Sequence, residues 1–509
     1  VLTGVVEGYK AITRITGGSF TNNNKLGTRV EVFWAYTPAT ATANFEVSGG
    51  TFNKTISASY CADGFIPTKN ADGTYGVKAG KYVAAIGSKN YESLADAIRL
   101  ATKGKTVTLL DDVAENIEIA KAKNFTLDLN GHTINGGTGT AKATITNYGT
   151  VTITDNSAAQ NGTIKRDDNG TVGETSYYVI RNLGTMTIEQ ANVTNNSGYK
   201  KTNPSGSMVG SSLICNGGDV GATLTINGGT FTQMNFLVVK NDALGTLNVT
   251  GGTFTSKHSA IQNWFKANIT GGEIKGQLWT DSWKVDESVG ETTIGGNATF
   301  TGEIVMDIYG NVPPTLKITG GKLDVTNWRV TPAAAKAGAK PAVSGGKFTS
   351  AVPEDYCADG YVPVDNGDGT FGVKVDESVA EVGGEKYLSL QEAVDAAKSG
   401  ATVKLLKDTK ENVTISKKLT LDLNGKTLNG STGERKPALK VDNASVTIQD
   451  SSAAQNGTIM REDTAENSGV SSHYVIDVQG KYGFLKIEGG NIKNNSGVVG
   501  KSGKGASLI

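Results

Sequence analysis

The sequence predicts an all-β protein made of β-solenoid units in tandem, and three observations carry this prediction. Glycine is abundant at 66 of 509 residues whereas proline numbers only 10, a balance that favours strands joined by tight turns. Long phrases from the first half of the chain return in the second half. A shorter glycine-rich phrase recurs within each half, at a spacing typical of one solenoid coil.

The long repeat is visible in nearly identical phrases. Cys61–Phe65 (CADGF) returns as Cys357–Tyr361 (CADGY), and Thr126–Gly131 (TLDLNG) returns unchanged as Thr420–Gly425. The chain therefore contains more than one copy of a large unit. An array of this kind favours reach and surface over a single active site.

The short repeat consists of an apolar residue, a small polar residue, two glycines and a pair of strand-forming residues. Most neighbouring copies after residue 226 begin about 20 to 25 residues apart. The glycine pair supplies a corner where positive φ is needed. The copies begin at Ile15, Val47, Ile226, Val249, Ile269, Ile318, Val343 and Ile487.

Short apolar strands that end in Asn or Asp precede most of these copies. Stacked coils would align the polar side chains as a ladder at one corner, where a short amide or carboxylate tolerates a left-handed turn and bonds to the backbone. The predicted ladder consists of Asn147, Asn182, Asn216, Asn241, Asn263 and Asp307, with Asp442 and Asp477 in the second copy.

The coil length, the Asn-ended strands and the phrase Leu129–Ile134 (LNGHTI) resemble the right-handed parallel β-helix of the pectate-lyase-like superfamily. That resemblance implies the fold but not the activity, because the fold hosts lyases, hydrolases and adhesins alike. The Cys-Ala-Asp-Gly module and the Gly-Gly-Thr-Phe coils together resemble modular surface proteins of Gram-positive gut bacteria. This second resemblance implies secretion and attachment to a cell envelope.

Each predicted β-helix follows a cap helix and a hairpin linker module. Ser93–Ala101 and Ser389–Ala397 read as amphipathic helices with N-cap serines, and Asp365–Gly369 reads as a hairpin turn. The predicted segments are the end of a preceding β-helix (1–55), a hairpin linker module (56–85), a cap helix (86–105), a β-helix (106–352), a second linker module (353–378), a second cap helix (379–401) and the start of the next β-helix (402–509).

Charge and motifs exclude several classes of partner. Lys+Arg and Asp+Glu both number 49, so the formal net charge is zero and no basic face for nucleic acid is expected. No apolar run is long enough to cross a membrane, so we expect no membrane insertion in this segment. There is no His/Cys spacing for a metal and no nucleotide fingerprint, so we expect no cofactor, and Ca²⁺ is the one ion that stays a hypothesis.

The candidates for chemistry form one charged cluster that occurs in both copies. Carboxylates beside an arginine would bind Ca²⁺ and act on an acidic polysaccharide, or hydrolyse a glycosidic bond. The alternative is a solvated charged loop, which the duplication and the change from Asp to Glu favour. The candidates are Asp155, Arg166, Asp167, Asp168, Arg461, Glu462 and Asp463.

Three tryptophans and two cysteines complete the candidate residues. Trp264, Trp279 and Trp283 lie on neighbouring predicted coils and would form a platform for sugar rings if exposed on one face. The alternative is that they fill the interior. In a secreted protein Cys215 and Cys357 are candidates for a disulfide, and otherwise for small buried apolar side chains.

The function that we expect is an extracellular repetitive structural or adhesive protein, such as a stalk, fibre or adhesin. Its expected partners are other copies of itself or cell-surface components, including glycans. Two alternatives stay open. One is a polysaccharide lyase or glycosidase that acts on acidic glycans, and the other is a non-catalytic glycan-binding protein.

Overall fold

The computed structural model divides the chain into two compact units, Val1–Lys374 and Val375–Ile509. It describes residues 2–4, 10–23, 34–36, 42–136, 142–166, 178–195, 201–202, 208–209, 212–218, 220–234, 236–283, 288–434, 436–462, 474–495 and 508–509.

The described part of the chain is all-β apart from three α-helices and two single 3-10 turns. The helices are α1 (Leu94–Leu100), α2 (Pro332–Lys336) and α3 (Leu390–Ala396). The strands of the first unit are β1 (Leu2–Gly4), β2 (Lys10–Phe20), β3 (Trp34–Tyr36), β4 (Thr42–Phe52), β5 (Phe65–Lys69), β6 (Tyr75–Ala79), β7 (Ala84–Ile86), β8 (Lys89–Tyr91), β9 (Lys105–Leu109), β10 (Ile117–Ile119), β11 (Asn124–Asp128), β12 (Thr133–Asn135), β13 (Ile145–Asn147), β14 (Thr150–Thr154), β15 (Thr163–Arg166), β16 (Ile180–Asn182), β17 (Thr185–Ile188), β18 (Asn192–Asn195), β19 (Lys201–Thr202), β20 (Met208–Val209), β21 (Ile214–Asn216), β22 (Ala222–Ile226), β23 (Thr230–Thr232), β24 (Val239–Asn241), β25 (Gly245–Val249), β26 (Thr253–Asn263), β27 (Lys266–Ile269), β28 (Glu273–Ser282), β29 (Glu291–Ile294), β30 (Thr299–Ile308), β31 (Thr315–Val330), β32 (Pro341–Phe348), β33 (Tyr361–Asp365) and β34 (Phe371–Val375).

The second unit continues the same kind of structure. Its strands are β35 (Ala380–Val382), β36 (Glu385–Tyr387), β37 (Thr402–Leu405), β38 (Thr409–Lys410), β39 (Val413–Ile415), β40 (Leu419–Asp422), β41 (Thr427–Asn429), β42 (Leu439–Asp442), β43 (Ser445–Gln449), β44 (Thr458–Arg461), β45 (Ile476–Gln479), β46 (Phe484–Ile487) and β47 (Asn491–Asn494).

Most strands pair in parallel with the strand three positions further along the chain. In the first unit β10 pairs with β13, β11 with β14 and β12 with β15, and the succession continues through β16, β17 and β18. In the second unit β39, β42 and β45 pair in this way, as do β40, β43 and β46. Each unit therefore contains three stacks of parallel strands. From β24 to β32 the strands include longer ones, and many of these pair with the strand one or two positions further along the chain.

Alternating side chains explain why these strands stack. In β14, Val151 and Ile153 are buried while Thr150 is exposed, and the same alternation recurs in strand after strand. The inward side chains form one large apolar core in each unit, and these two cores share no residue. A smaller separate cluster around Phe45 and Phe52 lies in the N-terminal part of the first unit.

The two predicted cap helices are present, and both copies hold them in the same manner. Ser93 caps α1 by accepting the Asp96 N–H (3.3 Å), and the carboxylate of Glu115 accepts the N–H groups of Leu94 (2.9 Å) and of the next residue (3.0 Å). Glu411 does the same at α3. A carboxylate at a helix N-terminus satisfies backbone donors and complements the helix dipole.

The predicted hairpin of the first linker module is likewise present. Strands β5 and β6 pair antiparallel across a tight turn, and β33 and β34 are hydrogen-bonded neighbours at the corresponding place. In the turn, the Asp72 carboxylate accepts the Thr74 N–H (3.0 Å) and its hydroxyl (2.6 Å). These bonds account for the polar turn residues without a metal.

The amide ladder is present from Asn147 to Asn263. The Nδ2 of Asn147 donates to the Oδ1 of Asn182 (2.8 Å), and the bonds from Asn182 to Asn216, from Asn216 to Asn241 and from Asn241 to Asn263 measure 2.7 Å each. All five side chains are fully buried. Their amides therefore satisfy one another inside the protein, as buried polar groups must.

Asp307 does not belong to this ladder, contrary to the sequence prediction. The strand register aligns Asn263 with Thr280 and Thr280 with Met306, so Asp307 lies one position further along and pairs with Asp281. Successive positions of a strand point to opposite faces, so a one-residue offset moves Asp307 to the outer face.

The second copy lacks the ladder. Ile415 aligns with Val441, and Val441 aligns with Val478, so two valines occupy the ladder positions. The expected members Asp442 and Asp477 lie on either side of that row. The same place in the two units is thus filled by hydrogen-bonded amides in one and by apolar side chains in the other.

Candidate functional site

A row of aligned positions runs across five neighbouring strands of the first unit. These positions precede the ladder position. Four of them carry large polar or aromatic side chains that are partly exposed, and the fifth, Val305, is fully buried. The strand register aligns them in the order Lys240, Gln262, Trp279, Val305 and Arg329. We call these five residues the outer row.

Two aspartates lie next to the outer row, on neighbouring strands. Asp281 of β28 and Asp307 of β30 are directly aligned. The Oδ2 of Asp281 accepts a hydrogen bond from Gln262 Nε2 (2.7 Å), and the Oδ1 of Asp307 accepts the Thr331 hydroxyl (2.7 Å). Aligned residues of adjacent strands lie about 5 Å apart, so the two carboxyl groups interact.

Asp281 is the most strongly perturbed carboxyl group of this region. It is fully buried, and among the described residues its Oδ1 has no hydrogen-bond partner. Burial raises the pKa of Asp281 to about 7; Gln262 opposes this rise, the nearby Asp307 carboxylate adds to it and Arg329 opposes it. Asp281 therefore exchanges a proton near neutral pH.

Exposed aromatic side chains follow the two aspartates. Trp283 is 56% exposed and Tyr309 is 59% exposed. The Tyr309 N–H donates to the Ser282 carbonyl (2.7 Å), which places Tyr309 beside the end of β28, where Trp283 follows. The ring of the half-buried Trp264 lies 5.3 Å from the Tyr309 ring. We call Trp264, Trp283 and Tyr309 the aromatic cluster.

Trp279 is not part of that cluster. Its indole N–H donates to Gln277 Oε1 (2.9 Å), and the Arg329 guanidinium lies 4.7 Å from the centre of its ring. Arg329 is itself held by Glu303, whose Oε1 accepts from its Nε (3.0 Å). The predicted three-tryptophan platform is thus divided, because a cation covers Trp279 while Trp264 and Trp283 lie near Tyr309.

The tyrosine hydroxyl is coupled to the aspartates. Burial raises the pKa of Tyr309 to about 12, and the Asp307 and Asp281 carboxylates and a hydrogen bond to Asp307 add to the rise. Tyr309 therefore keeps its proton at physiological pH, and its hydroxyl donates a hydrogen bond to Asp307.

Asp155, a candidate for chemistry in the sequence, closes a turn. Its carboxylate accepts the N–H groups of Gly131 (2.8 Å), Ser157 (3.1 Å) and Gly162 (2.5 Å). Burial works to raise the pKa of Asp155, but these bonds outweigh it and the pKa lies below the usual range. Asp450 makes the same three bonds in the second copy. This geometry favours a structural role over Ca²⁺ binding.

The two candidate arginines point inward. Arg166 and Arg461 are fully buried at equivalent strand ends, and each donates to a backbone carbonyl, that of Lys142 and that of Glu434 respectively. Buried guanidinium groups held by carbonyls anchor loops rather than meet a substrate.

Of the other charged candidates from the sequence, the structure describes only one. Glu462 is exposed and accepts a hydrogen bond from Asn429 Nδ2 (2.7 Å). Asp167, Asp168 and Asp463 lie outside the described residues.

The structure does not contain the disulfide suggested for Cys215 and Cys357. Cys215 packs with Ala143 and Tyr178 in a small buried cluster. The Sγ of Cys357 lies 3.8 Å from the Pro353 carbonyl, within the main core of the first unit. Both cysteines are buried and carry free thiols.

Two further findings concern the described ranges only. No group of three or more His, Cys, Asp or Glu side chains there is arranged to hold a metal ion. None of the helices there is long and apolar enough to cross a membrane.

Sequence reasoning missed the central role of Asp281. A signal was present, since Trp279–Trp283 (WTDSW) places a carboxylate in a strand between two large aromatic residues. This signal could not be interpreted from the sequence, because the alignment of Asp281 with Asp307 depends on the strand register. No family model, curated protein or solved structure matches this chain.

Proposed function

We propose that the chain is an extracellular adhesive protein, built from right-handed parallel β-helices in tandem, that binds glycans at the aromatic cluster. The three stacks of parallel strands in each unit support the β-helix, because a coil that visits three faces in turn pairs every strand with the one three positions on. The resemblance to Gram-positive surface proteins supports the extracellular location.

The exposure of the aromatic cluster carries the proposal. Trp283 and Tyr309 leave more than half of their surface accessible at neighbouring strand ends. Aromatic faces pack against the apolar faces of sugar rings, and the adjacent Asp307 carboxylate accepts hydroxyl protons. Because Asp281 and Asp307 bring negative charge, a neutral glycan fits this site better than the acidic glycans considered from the sequence.

A glycosidase is the second candidate, and one observation favours it. Asp281 and Asp307 are aligned on adjacent strands, about 5 Å apart, near the carboxyl separation of retaining glycosidases. A pKa of about 7 suits Asp281 as a general acid. Its complete burial counts against this role, because a substrate must reach the acid.

A glycan array with the full chain tests the binding proposal. We expect Trp283→Ala and Tyr309→Ala to weaken binding to a neutral glycan about three- to tenfold, as expected for the loss of one aromatic contact. Tyr482→Ala is the matched control, because Tyr482 is 66% exposed and lies in the other unit. Unchanged binding by both cluster variants would show that the aromatic cluster is not the binding site.

Reducing-end assays on the same glycans separate the two candidates. An adhesive protein releases no sugar, whether it carries Asp281 or Asp281→Asn. Cleavage that disappears in Asp281→Asn would establish the glycosidase instead.

A further inference from the structure

A surface groove of 510 Å³ lies in the first unit, away from the outer row and the aromatic cluster. Tyr148, Leu183 and Val220 form its apolar wall, and Thr185 and Thr223 add hydroxyl groups. Tyr148 is 41% exposed and Val220 is 46% exposed. A recess of this size with apolar walls and a few hydroxyls has the dimensions and composition of a ligand site.

The amide ladder creates this recess. The Oδ1 of Asn147 accepts the Gly149 N–H (3.0 Å), and the Oδ1 of Asn182 accepts the Gly184 N–H (3.4 Å), which draws the chain into a tight corner. A Cβ on Gly184 would lie 2.3 Å from the Gly149 carbonyl oxygen. The layers therefore approach too closely for a side chain, and the surface at this corner stays hollow.

A uniform surface of threonines adjoins the groove. Strands β14, β17 and β22 each present two outward threonines, and β25 adds a threonine and an asparagine in register. The residues between them are buried, so these side chains all face outward. This threonine face consists of Thr150, Thr152, Thr185, Thr187, Thr223, Thr225, Thr246 and Asn248.

The spacing of the face is fixed by the sheet. Neighbouring strands lie about 4.8 Å apart, and alternate residues along a strand lie about 6.7 Å apart. β-Branched side chains have few rotamers, so the hydroxyls are held in rows before any ligand arrives. A preorganised surface loses little conformational entropy when it binds.

The chemistry of the surface selects the ligand. All eight positions are uncharged, and the groove rim carries one acid, Glu118, and one base, Lys121. One acid and one base on the rim give neither a polyanion nor a polycation a surface of balancing charge. Each threonine hydroxyl can donate and accept, its methyl group is apolar, and Tyr148 offers a ring for stacking.

We propose that the groove and the threonine face together bind a neutral, hydroxyl-rich polysaccharide chain. One sugar ring packs against Tyr148 in the groove, and the chain continues over the hydroxyl rows. The site uses none of the residues of the aromatic cluster. Its test is therefore independent of the test of the function proposed above.

The second unit provides an internal comparison. At the equivalent strands Ser445 and Thr447 align with Phe484 and Lys486, which interrupts the hydroxyl rows. The first corner there reads Asp442-Asn443-Ala444 and has no glycine in the place of Gly149. The second unit is therefore expected not to bind.

Sedimentation of the full chain with insoluble neutral polysaccharides (cellulose, chitin and a mixed-linkage β-glucan) tests the proposal. We expect binding to at least one of them, insensitive to salt between low and high ionic strength because no charges are involved. The double variant Thr187→Lys, Thr225→Lys should lose at least tenfold in affinity, and Tyr148→Ala should weaken it about three- to tenfold.

Thr447→Lys in the second unit is the matched control and should bind as the wild type does. Thermal unfolding of each variant checks the fold, since an outward lysine leaves the core intact. Two results would overturn the proposal: unchanged binding by both the double threonine variant and Tyr148→Ala, or no binding to any of the three neutral polysaccharides. Loss of binding in Trp283→Ala alone would refute this site while leaving the aromatic cluster in place.

Discussion

Asp155 and Asp450 show how one side chain sets a turn in both copies. Each carboxylate accepts three backbone N–H groups, two from the loop that follows it and one from a glycine in the turn of the preceding layer. Hydrogen bonds to a charged acceptor are about twice as strong as neutral ones, so the charge itself holds the loop. The repetition of this aspartate therefore reflects folding.

Replacing Asp155 with Asn should lower the free energy of unfolding of the first unit by about 2 kcal/mol at pH 7, because the charged acceptor is lost. The pKa of Asp155 is lowered on folding, so its contribution is present above its unfolded pKa and fades as pH falls through the folded value. Urea unfolding at pH 7 and at acidic pH measures both effects. Asp359→Asn, an exposed acid, is the control, and an equal effect in both variants would contradict the assignment.

The contribution of Asp281 to stability depends on pH in the opposite direction from that of Asp155. Its pKa is raised to about 7 in the folded state, so its stabilising contribution is complete below the unfolded pKa and is lost as pH rises through about 7. Asp281→Asn should therefore be more stable than the wild type at pH 8, by up to about 1.4 kcal/mol for each pH unit of the shift, and similar at pH 4. Denaturant midpoints across this range provide the measurement, with Asp307→Asn for comparison. If the stabilities of the wild type and Asp281→Asn differed by the same amount at both pH values, the raised pKa of Asp281 would be disproved.

At the scale of elements, sequence patterns located strands, two of the three helices and five of the six ladder members proposed for the first copy, but neither of the two proposed for the second. Asn147 to Asn263 were predictable because each ends a short apolar strand. Asp307 was wrongly included because β28 and β30 extend past the corner, where the register rather than the residue type decides which side chain faces inward. Glu115 and Glu411 were missed as helix caps, although the same acid stands before an asparagine in both copies.

The ladder should contribute measurably to stability. Asn182→Ala leaves the buried amides of Asn147 and Asn216 each without one partner, which costs about 2 to 4 kcal/mol. Differential scanning calorimetry of the full chain would record the shift of the transition. Val441→Ala, at the equivalent position of the second unit, removes only apolar contacts and leaves no amide unsatisfied. A ladder variant that unfolds like the wild type would mean that the amides are not coupled.

At the scale of the whole molecule, the main core of the first unit and the core of the second unit share no residue, which predicts separate unfolding events for these two cores. Val151 and Val446 occupy equivalent strands and are both buried. Val151→Ala should destabilise only residues of the first unit and Val446→Ala only those of the second, each by about 2 kcal/mol. Hydrogen exchange followed by mass spectrometry resolves the two units. A single variant that accelerated exchange throughout both would show that they unfold as one.

The five ladder amides all donate in the same chain direction, from Asn147 towards Asn263. Amides that donate in sequence polarise one another, so reversing one of them would set two oxygens or two nitrogens face to face at its neighbours. A layer that slipped by one residue would break the succession at two contacts at once. In the first unit the ladder therefore favours the correct register of the layers, because a shifted layer loses amide hydrogen bonds. In the second unit valines occupy the equivalent positions, and only their apolar packing favours the register there.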